Sequence, residues 1–280
     1  VFSLEQIYRK QLTQTWSKIP EVFRYVNQLP ATTTTVTPVG SNYAYAAGDN
    51  PYDGSTVDRL DFDNDSANTV VKGNLPSPAK FMAAVSSQTH GYFAGGMSNS
   101  LGTHSQVYRI DYSNDTAAMA TVGNMTRSQR VLSGVGTKDY GYFGGGLPAT
   151  TGIDKIDFSN ETISPEVSEL TVPRQAMATI SAGKKINAKG FKKYRTDISG
   201  NSISKSYGYF AGGSTAPGSI QAIISRIDFS SETTSAPGNN LPQARNALVA
   251  VSSLNYGYFA GGDGPGDGRH SQRNAGHDAG

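Results

Sequence analysis

The sequence predicts an all-β protein: a β-propeller of four to five blades, preceded by a short N-terminal helical segment. Three observations carry this prediction. A string of two aromatics set against glycines recurs, as "HGYFAGG" from His90, "YGYFGGG" from Tyr140, "YGYFAGG" from Tyr207 (in register "SYGYFAGGS" from Ser206) and again "YGYFAGG" from Tyr256. A worn copy, "NYAYAAG", starts at Asn42. The residue before the first ring is Ala44, Gly91, Gly141, Gly208 and Gly257, so the steps are 47, 50, 67 and 49 residues. That matches the period of about 50 residues found in some propeller repeats. Finally, each unit carries four short strand signals separated by turn residues.

The elements follow in chain order. Residues 1–30 read as helical. Ser3 and Gln6 form a capping-box pattern, and Leu4, Ile7, Tyr8 and Leu12 fall on one helical face, with Trp16 a further turn along. Pro20 can open a second turn that carries Val22, Phe23 and Val26. A stripe this short is marginal in water without a partner surface; that surface is either the propeller's own flank, with the helix folded back on it, or a second copy or another protein of an assembly, and the last two are favoured, which makes residues 1–30 an attachment segment. Residues 31–42, with "ATTTTVTP", read as a Thr-rich linker or a worn first strand. Residues 43–262 hold the repeats, and 263–280 read as a flexible polar tail.

Within each repeat an apolar stretch comes first ("KFMAAVSS", "RVLSGVGT", "RQAMATIS", "NALVAVSS"). The aromatic-glycine strand follows. Tyr92 and Phe93 point to opposite faces, so both faces must be covered, as in a blade squeezed between neighbours. The glycines let the next backbone approach closely. The third strand ("STVDRLDF", "SQVYRIDY", "TGIDKIDF", "IISRIDFS") alternates, and it holds a base and an acid two residues apart. These are Arg59/Asp61, Arg109/Asp111, Lys155/Asp157 and Arg226/Asp228, and their shared face predicts inter-blade pairs. An acidic turn leads to a fourth stretch. There are four full units and half of a fifth.

The 67-residue step contains an insertion at about 184–200. Its Lys189, Lys192, Lys193 and Arg195 interleave with Phe191 and Tyr194. Basic residues among aromatics can hold an anionic ligand, and insertions in repeats map to one face, often the binding face. These six residues are the candidate ligand or partner contact; the other reading is a long solvated loop or hairpin.

Composition bounds the chemistry. The 280 residues carry a net charge of +2, so no global field favours nucleic acid or membrane, and no specific nucleic acid partner is expected. Cysteine is absent, which excludes disulfides, thiolate catalysis and Cys-based zinc sites. No apolar run reaches the ~18 residues of a membrane span. The start, "VFSLEQIYRK", lacks the pattern of a signal peptide. "DFDNDS" at Asp61–Ser66 resembles a calcium loop but has Ser66 and Lys72 where Gly and Glu are needed. The histidines, His90, His104, His270 and His277, are scattered, and no Gly-x-Ser-x-Gly or phosphate loop occurs. No cofactor, metal or catalytic residue is expected.

The double glycine after an aromatic strand, followed by "x-R-I-D-[FY]", resembles the kelch repeat. The Trp that kelch repeats carry on a later strand is missing: the only Trp is Trp16, outside the repeats. The wording at Tyr140–Gly146, Ser55–Asp65 and Val107–Thr116 is similar to kelch-like repeat proteins of marine cyanobacterial viruses, over about residues 40–262. That resemblance implies a non-enzymatic structural and recognition protein of a bacteriophage particle, associated with the tail or fibre. It would be assembled in the host cytoplasm and would present propeller loops to host surface glycans or neighbouring virion subunits. A homo-oligomer, such as a trimer, is expected. The alternatives are a carbohydrate-active propeller enzyme (glycosidase or lyase) and a capsid decoration protein.

Overall fold

The structure is a computed structural model, which describes residues 43–48, 54–64, 66–183, 205–215, 219–252 and 256–265. The helical segment, the linker, the basic insertion and almost all of the polar tail fall outside the described residues.

The described chain is built from antiparallel meanders. The first sheet has three strands, β1 (Tyr43–Ala47), β2 (Thr56–Asp61) and β3 (Val70–Asn74). The next contains β4 (Ala83–Ser86) and β5 (His90–Ala94). After a small hairpin, β6 (Met97–Ser98) and β7 (Gly102–Thr103), it adds β8 (Gln106–Asp111) and β9 (Ala120–Asn124), in the order β4-β5-β8-β9. The third sheet is β10 (Ser133–Gly136), β11 (Tyr140–Gly144), β12 (Gly152–Asp157) and β13 (Ile163–Glu169). The fourth is β14 (Ala178–Gly183), β15 (Lys205–Ala211), β16 (Ile224–Asp228) and β17 (Thr233–Ser235). A final pair, β18 (Val249–Ser252) and β19 (Gly257–Ala260), closes the series. No α-helix occurs among the described residues, and the sheets there form no closed barrel or ring.

The Tyr-Phe strand is the second strand of its sheet, and its two rings serve two different cores. Tyr92 packs with Val85, Met125, Phe143 and Ile156, between the second and third sheets. Phe93, one residue on, packs with Val57, Tyr108 and Ile110, between the first and second. Tyr142 and Phe210 share the third core, between the third and fourth sheets. The period-two alternation of a strand produces this division of labour. Tyr92, Tyr142 and Phe210 are fully buried, each contributing about 1.5–3 kcal/mol by area.

Glycine at the start of the string makes room for the preceding sheet. A Cβ on Gly141 would stand 2.5 Å from Val85 Cγ2, and one on Gly208 would stand 2.8 Å from Val135 Cγ2. Gly257 receives Ile180 in the same way. The aliphatic residue of each first strand is therefore a knob, and the glycine of the next sheet is its hole. A column of peptide hydrogen bonds also stitches the sheets together at the entry to their first strands. Val131 N–H donates to Phe81 O (2.9 Å), Ala176 N–H to Val131 O (3.0 Å) and Ala247 N–H to Ala176 O (2.9 Å). All four residues hold a positive φ of 51–61°, a costly conformation for non-glycine residues.

Candidate functional site

The chemistry-bearing side chains of the repeats meet in the seams between sheets. Register explains why. Tyr45 stands opposite Arg59, Tyr92 opposite Arg109, Tyr142 opposite Lys155 and Tyr209 opposite Arg226. Each tyrosine and base are thus cross-strand neighbours on one face. In the first three sheets both reach an acid in the turn before the fourth strand of the following sheet.

Arg59 Nη1 lies 2.7 Å from Asp115 Oδ2, and the Tyr45 hydroxyl donates to the same oxygen at 3.0 Å. Arg109 Nη1 lies 2.7 Å from Glu161 Oε1, which also accepts from the Tyr92 hydroxyl at 3.2 Å. Lys155 pairs with Glu232 Oε1, and the Tyr142 hydroxyl donates to it at 3.2 Å. The tyrosine ring lies on an aromatic of the following sheet: Tyr45 on Tyr112 at 5.3 Å, Tyr92 on Phe158 at 5.0 Å and Tyr142 on Phe229 at 5.1 Å. Those three aromatics are the last residue of each "R-I-D-[FY]" or "K-I-D-F" string.

The charges respond to this setting. Burial pushes the Tyr45, Tyr92 and Tyr142 phenols well above their ordinary value, and the neighbouring carboxylates add to the push. Burial alone raises Tyr112 to about 12, although a hydrogen bond with Ser86 pulls the other way. Burial opposes the charge on Arg59, yet the hydrogen bond to Asp115 leaves its pKa raised, and Glu161 raises that of Arg109. Glu161 and Glu232 hold φ of 59° and 55°. A long acid kept in the left-handed region is strained locally, and the strain persists because the side chain is held by the neighbouring sheet.

This arrangement corrects one expectation. The inter-blade pairs were expected to use the acid two residues past the base. The base does bridge sheets in three units, but Asp61, Asp111, Asp157 and Asp228 do not receive it. They turn back to cap their own turns. Asp111 Oδ1 accepts from Ser113 N–H (2.8 Å) and Oγ (2.7 Å), and Asp157 and Asp228 do the same with Ser159 and Ser230. Asp61 Oδ1 accepts from Asp63 N–H at 2.9 Å. These are Asx turns. The serine hydroxyls and amides hold the Asp111, Asp157 and Asp228 carboxyls below the usual carboxylate range. Among the described residues Arg226 meets no acid from a following sheet; it donates to Ser235 Oγ at 3.2 Å within its own sheet and lies 4.8 Å from the Tyr207 ring centroid.

The sequence reading missed Asp115, Glu161 and Glu232. The signal was an acid four residues past each third-strand Asp. It also missed Arg174, which is fully buried and donates to Gly212 O (2.8 Å), Ile223 O (2.6 Å) and Ser225 Oγ (2.6 Å). Burial pulls its pKa down to about 10. The expected contact residues Lys189, Phe191, Lys192, Lys193, Tyr194 and Arg195 lie outside the described residues. So do Leu4, Ile7, Tyr8, Leu12 and Trp16 of the attachment segment.

Between the second and third sheets a cavity of about 20 Å³ is lined by Met125, Gln129, Phe143, Gly145 and Asp154. It has room for about one water and is far below the ~300 Å³ of a ligand site. No group of three or more His, Asp or Glu converges with metal-binding geometry among the described residues. No helix there is long and apolar enough to cross a membrane. No protein-family model matches the chain, and comparison with curated proteins returns no match.

Proposed function

We propose that this chain is a non-enzymatic structural and recognition module of a bacteriophage particle, associated with its tail or fibre, in which the sheets are blades of a kelch-like β-propeller. The observation that carries this reading is the use made of the repeated acids. Asp115, Glu161 and Glu232 occupy equivalent places, and each is engaged by a phenol and a cation of the neighbouring sheet. A general acid or nucleophile needs an open approach for substrate and an environment unlike that of its sister residues. These three carboxylates share one repeated setting, and each is already held by a phenol and a cation. They are fasteners, and the surface loops are left for recognition of host glycans or neighbouring subunits.

In the same reading, residues 1–30 attach the blades to other virion proteins, and the basic insertion at 184–200 supplies an adhesive loop. The test is quantitative mass spectrometry of gradient-purified phage particles, paired with glycan turnover by the isolated protein. The expected result is a fixed copy number per particle and no turnover. Absence from particles overturns the virion reading. Turnover abolished by changing a single Asp or Glu favours a carbohydrate-active enzyme instead.

A further inference from the structure

Gln129 and Arg174 hold the same place in consecutive repeats, two residues before the left-handed Val131 and Ala176. Arg174 is fully buried, and its guanidinium donates to Gly212 O (2.8 Å), Ile223 O (2.6 Å) and Ser225 Oγ (2.6 Å). One repeat earlier the matching residues are Gly145, Gly152 and Asp154. Register sets Phe143 opposite Asp154 as it sets Phe210 opposite Ser225. Gly145 N–H donates to Gly152 O as Gly212 N–H donates to Ile223 O. Thr126 donates to the Asp154 carboxylate through its N–H (2.8 Å) and hydroxyl (2.9 Å), where Thr171 meets the Ser225 hydroxyl. Gly145, Gly152, Asp154 and Gln129 all line the 20 Å³ cavity between the second and third sheets. The cavity thus lies where the next repeat places a guanidinium, because glutamine is shorter than arginine. Gln129 is 7% exposed, and its Oε1 is buried with no hydrogen-bond partner among the described residues. Asp154 is equally buried. In the repeat before, Ala79 and Tyr108 take the two places and both join an apolar core.

We propose that this cavity binds one monovalent cation of about the size of a water molecule, potassium being the ion that fits, held by Gln129 Oε1, the Asp154 carboxylate and the carbonyls of Gly145 and Gly152. Every one of these donors is an oxygen, and a set of carbonyls can replace the hydration shell of potassium. The counterparts of the two carbonyls already hold a single positive charge. Arg174 stays protonated at neutral pH although burial lowers its pKa to about 10. A divalent ion is disfavoured, since Asp154 is the one acid lining the cavity and such ions are bound through more carboxylates. Arg127, exposed and donating to Thr150 Oγ1 at 3.0 Å, lines the same cavity. Its charge opposes a second cation and keeps the affinity well below that of a divalent-ion cage. A bound ion would join the segment after β9, the Gln129 lead-in and the third sheet. The site needs only these two described repeats and stands apart from the virion assignment.

The test is thermal unfolding of the full chain in potassium chloride and in tetramethylammonium chloride at equal ionic strength, joined to anomalous diffraction from crystals grown in rubidium chloride. Tetramethylammonium is too large for the cavity and serves as the control. The wild-type midpoint should be about 2–4 °C higher in potassium and should saturate with its concentration. Gln129→Arg supplies the tethered guanidinium that Arg174 provides in the next repeat, so its midpoint should be the same in both salts. Asp154→Asn should raise the potassium needed for half the rise by about tenfold. Rubidium should give an anomalous peak beside Gln129 Oε1. A wild-type midpoint that is equal in the two salts overturns the proposal. So does a map with an ordered water only at that oxygen, and so does a potassium effect that Gln129→Arg retains, since that effect arises elsewhere. Should Gln129→Arg fail to fold, the wild-type salt comparison and the rubidium map still decide.

Discussion

Tyr142 donates its hydroxyl hydrogen to Glu232, a residue 90 positions further along the chain, while its ring lies on Phe229. One side chain thereby fills a core, stacks across a seam and satisfies a carboxylate. The same relation holds for Tyr92 with Glu161 and Tyr45 with Asp115. All three phenols are raised in pKa by burial first and by the adjacent carboxylate second. A group whose folded pKa is raised above its unfolded value, about 10 for tyrosine, contributes stability that is intact below that value and lost as pH rises above it. Alkaline titration followed by phenolate absorbance should therefore show two steps. The second should coincide with loss of β-sheet circular dichroism. A single step with the sheets intact would contradict the burial of these hydroxyls.

Asp115 is the most heavily engaged acid. It accepts from Arg59 and Tyr45, and Lys72 Nζ lies 3.6 Å from its other oxygen. Asp115→Ala should cost about 2–3 kcal/mol, since breaking a mostly buried pair strands its partners. Asp139→Ala removes an exposed pair with Lys138 and should cost about 0.5 kcal/mol or less. Chemical denaturation of both variants checks the contrast.

The knob-and-hole contact predicts a rescue. Gly141→Ala places a methyl 2.5 Å from Val85 Cγ2 and should destabilise by about 1–3 kcal/mol. Trimming the knob with Val85→Ala should relieve the clash. The double variant should then lose less than the sum of the singles, as contacting sites do. Strict additivity would mean that the seam relaxes elsewhere.

Asp111, Asp157 and Asp228 are held below the usual carboxylate range by their serine partners. For a depressed carboxyl the contribution is present above the unfolded value of about 3.9 and is lost as pH falls below it. The thermal midpoint should drop on acidification through that window. Changing all three to Asn keeps an acceptor for the turn but removes the titration, so the drop should become shallower. An unchanged pH profile would place the acid sensitivity in other groups.

Much of the architecture was legible because repetition amplifies weak signals. One alternating segment such as "VYRID" is ambiguous; four of them at a period near 50 are not. The aromatics on both faces of the second strand announced two-sided burial, and Tyr92 and Phe93 do serve two cores. The partner of each base was not legible. Spacing of two puts Arg109 and Asp111 on one face, but sequence carries no information on the offset between sheets. That offset brings Glu161, 52 residues away, to Arg109, while Ser113 captures Asp111 locally. Local capture of a carboxylate by the next turn wins because it needs no long-range ordering. The left-handed residues Phe81, Val131, Ala176 and Ala247 were invisible for a similar reason. None is a residue that favours positive φ, and only the inter-sheet peptide bonds explain them.

A double-mutant cycle on Arg109 and Glu161 decides whether the repeated acids fasten the sheets. Unfolding free energies would be measured for Arg109→Ala, Glu161→Ala and the double variant, with a parallel cycle on Arg109 and Asp111. The fastener reading predicts a coupling of about 1 kcal/mol or more between Arg109 and Glu161, and a smaller one between Arg109 and Asp111. Additivity within about 0.3 kcal/mol for Arg109 and Glu161 would contradict it, because the acid would then be free for another task.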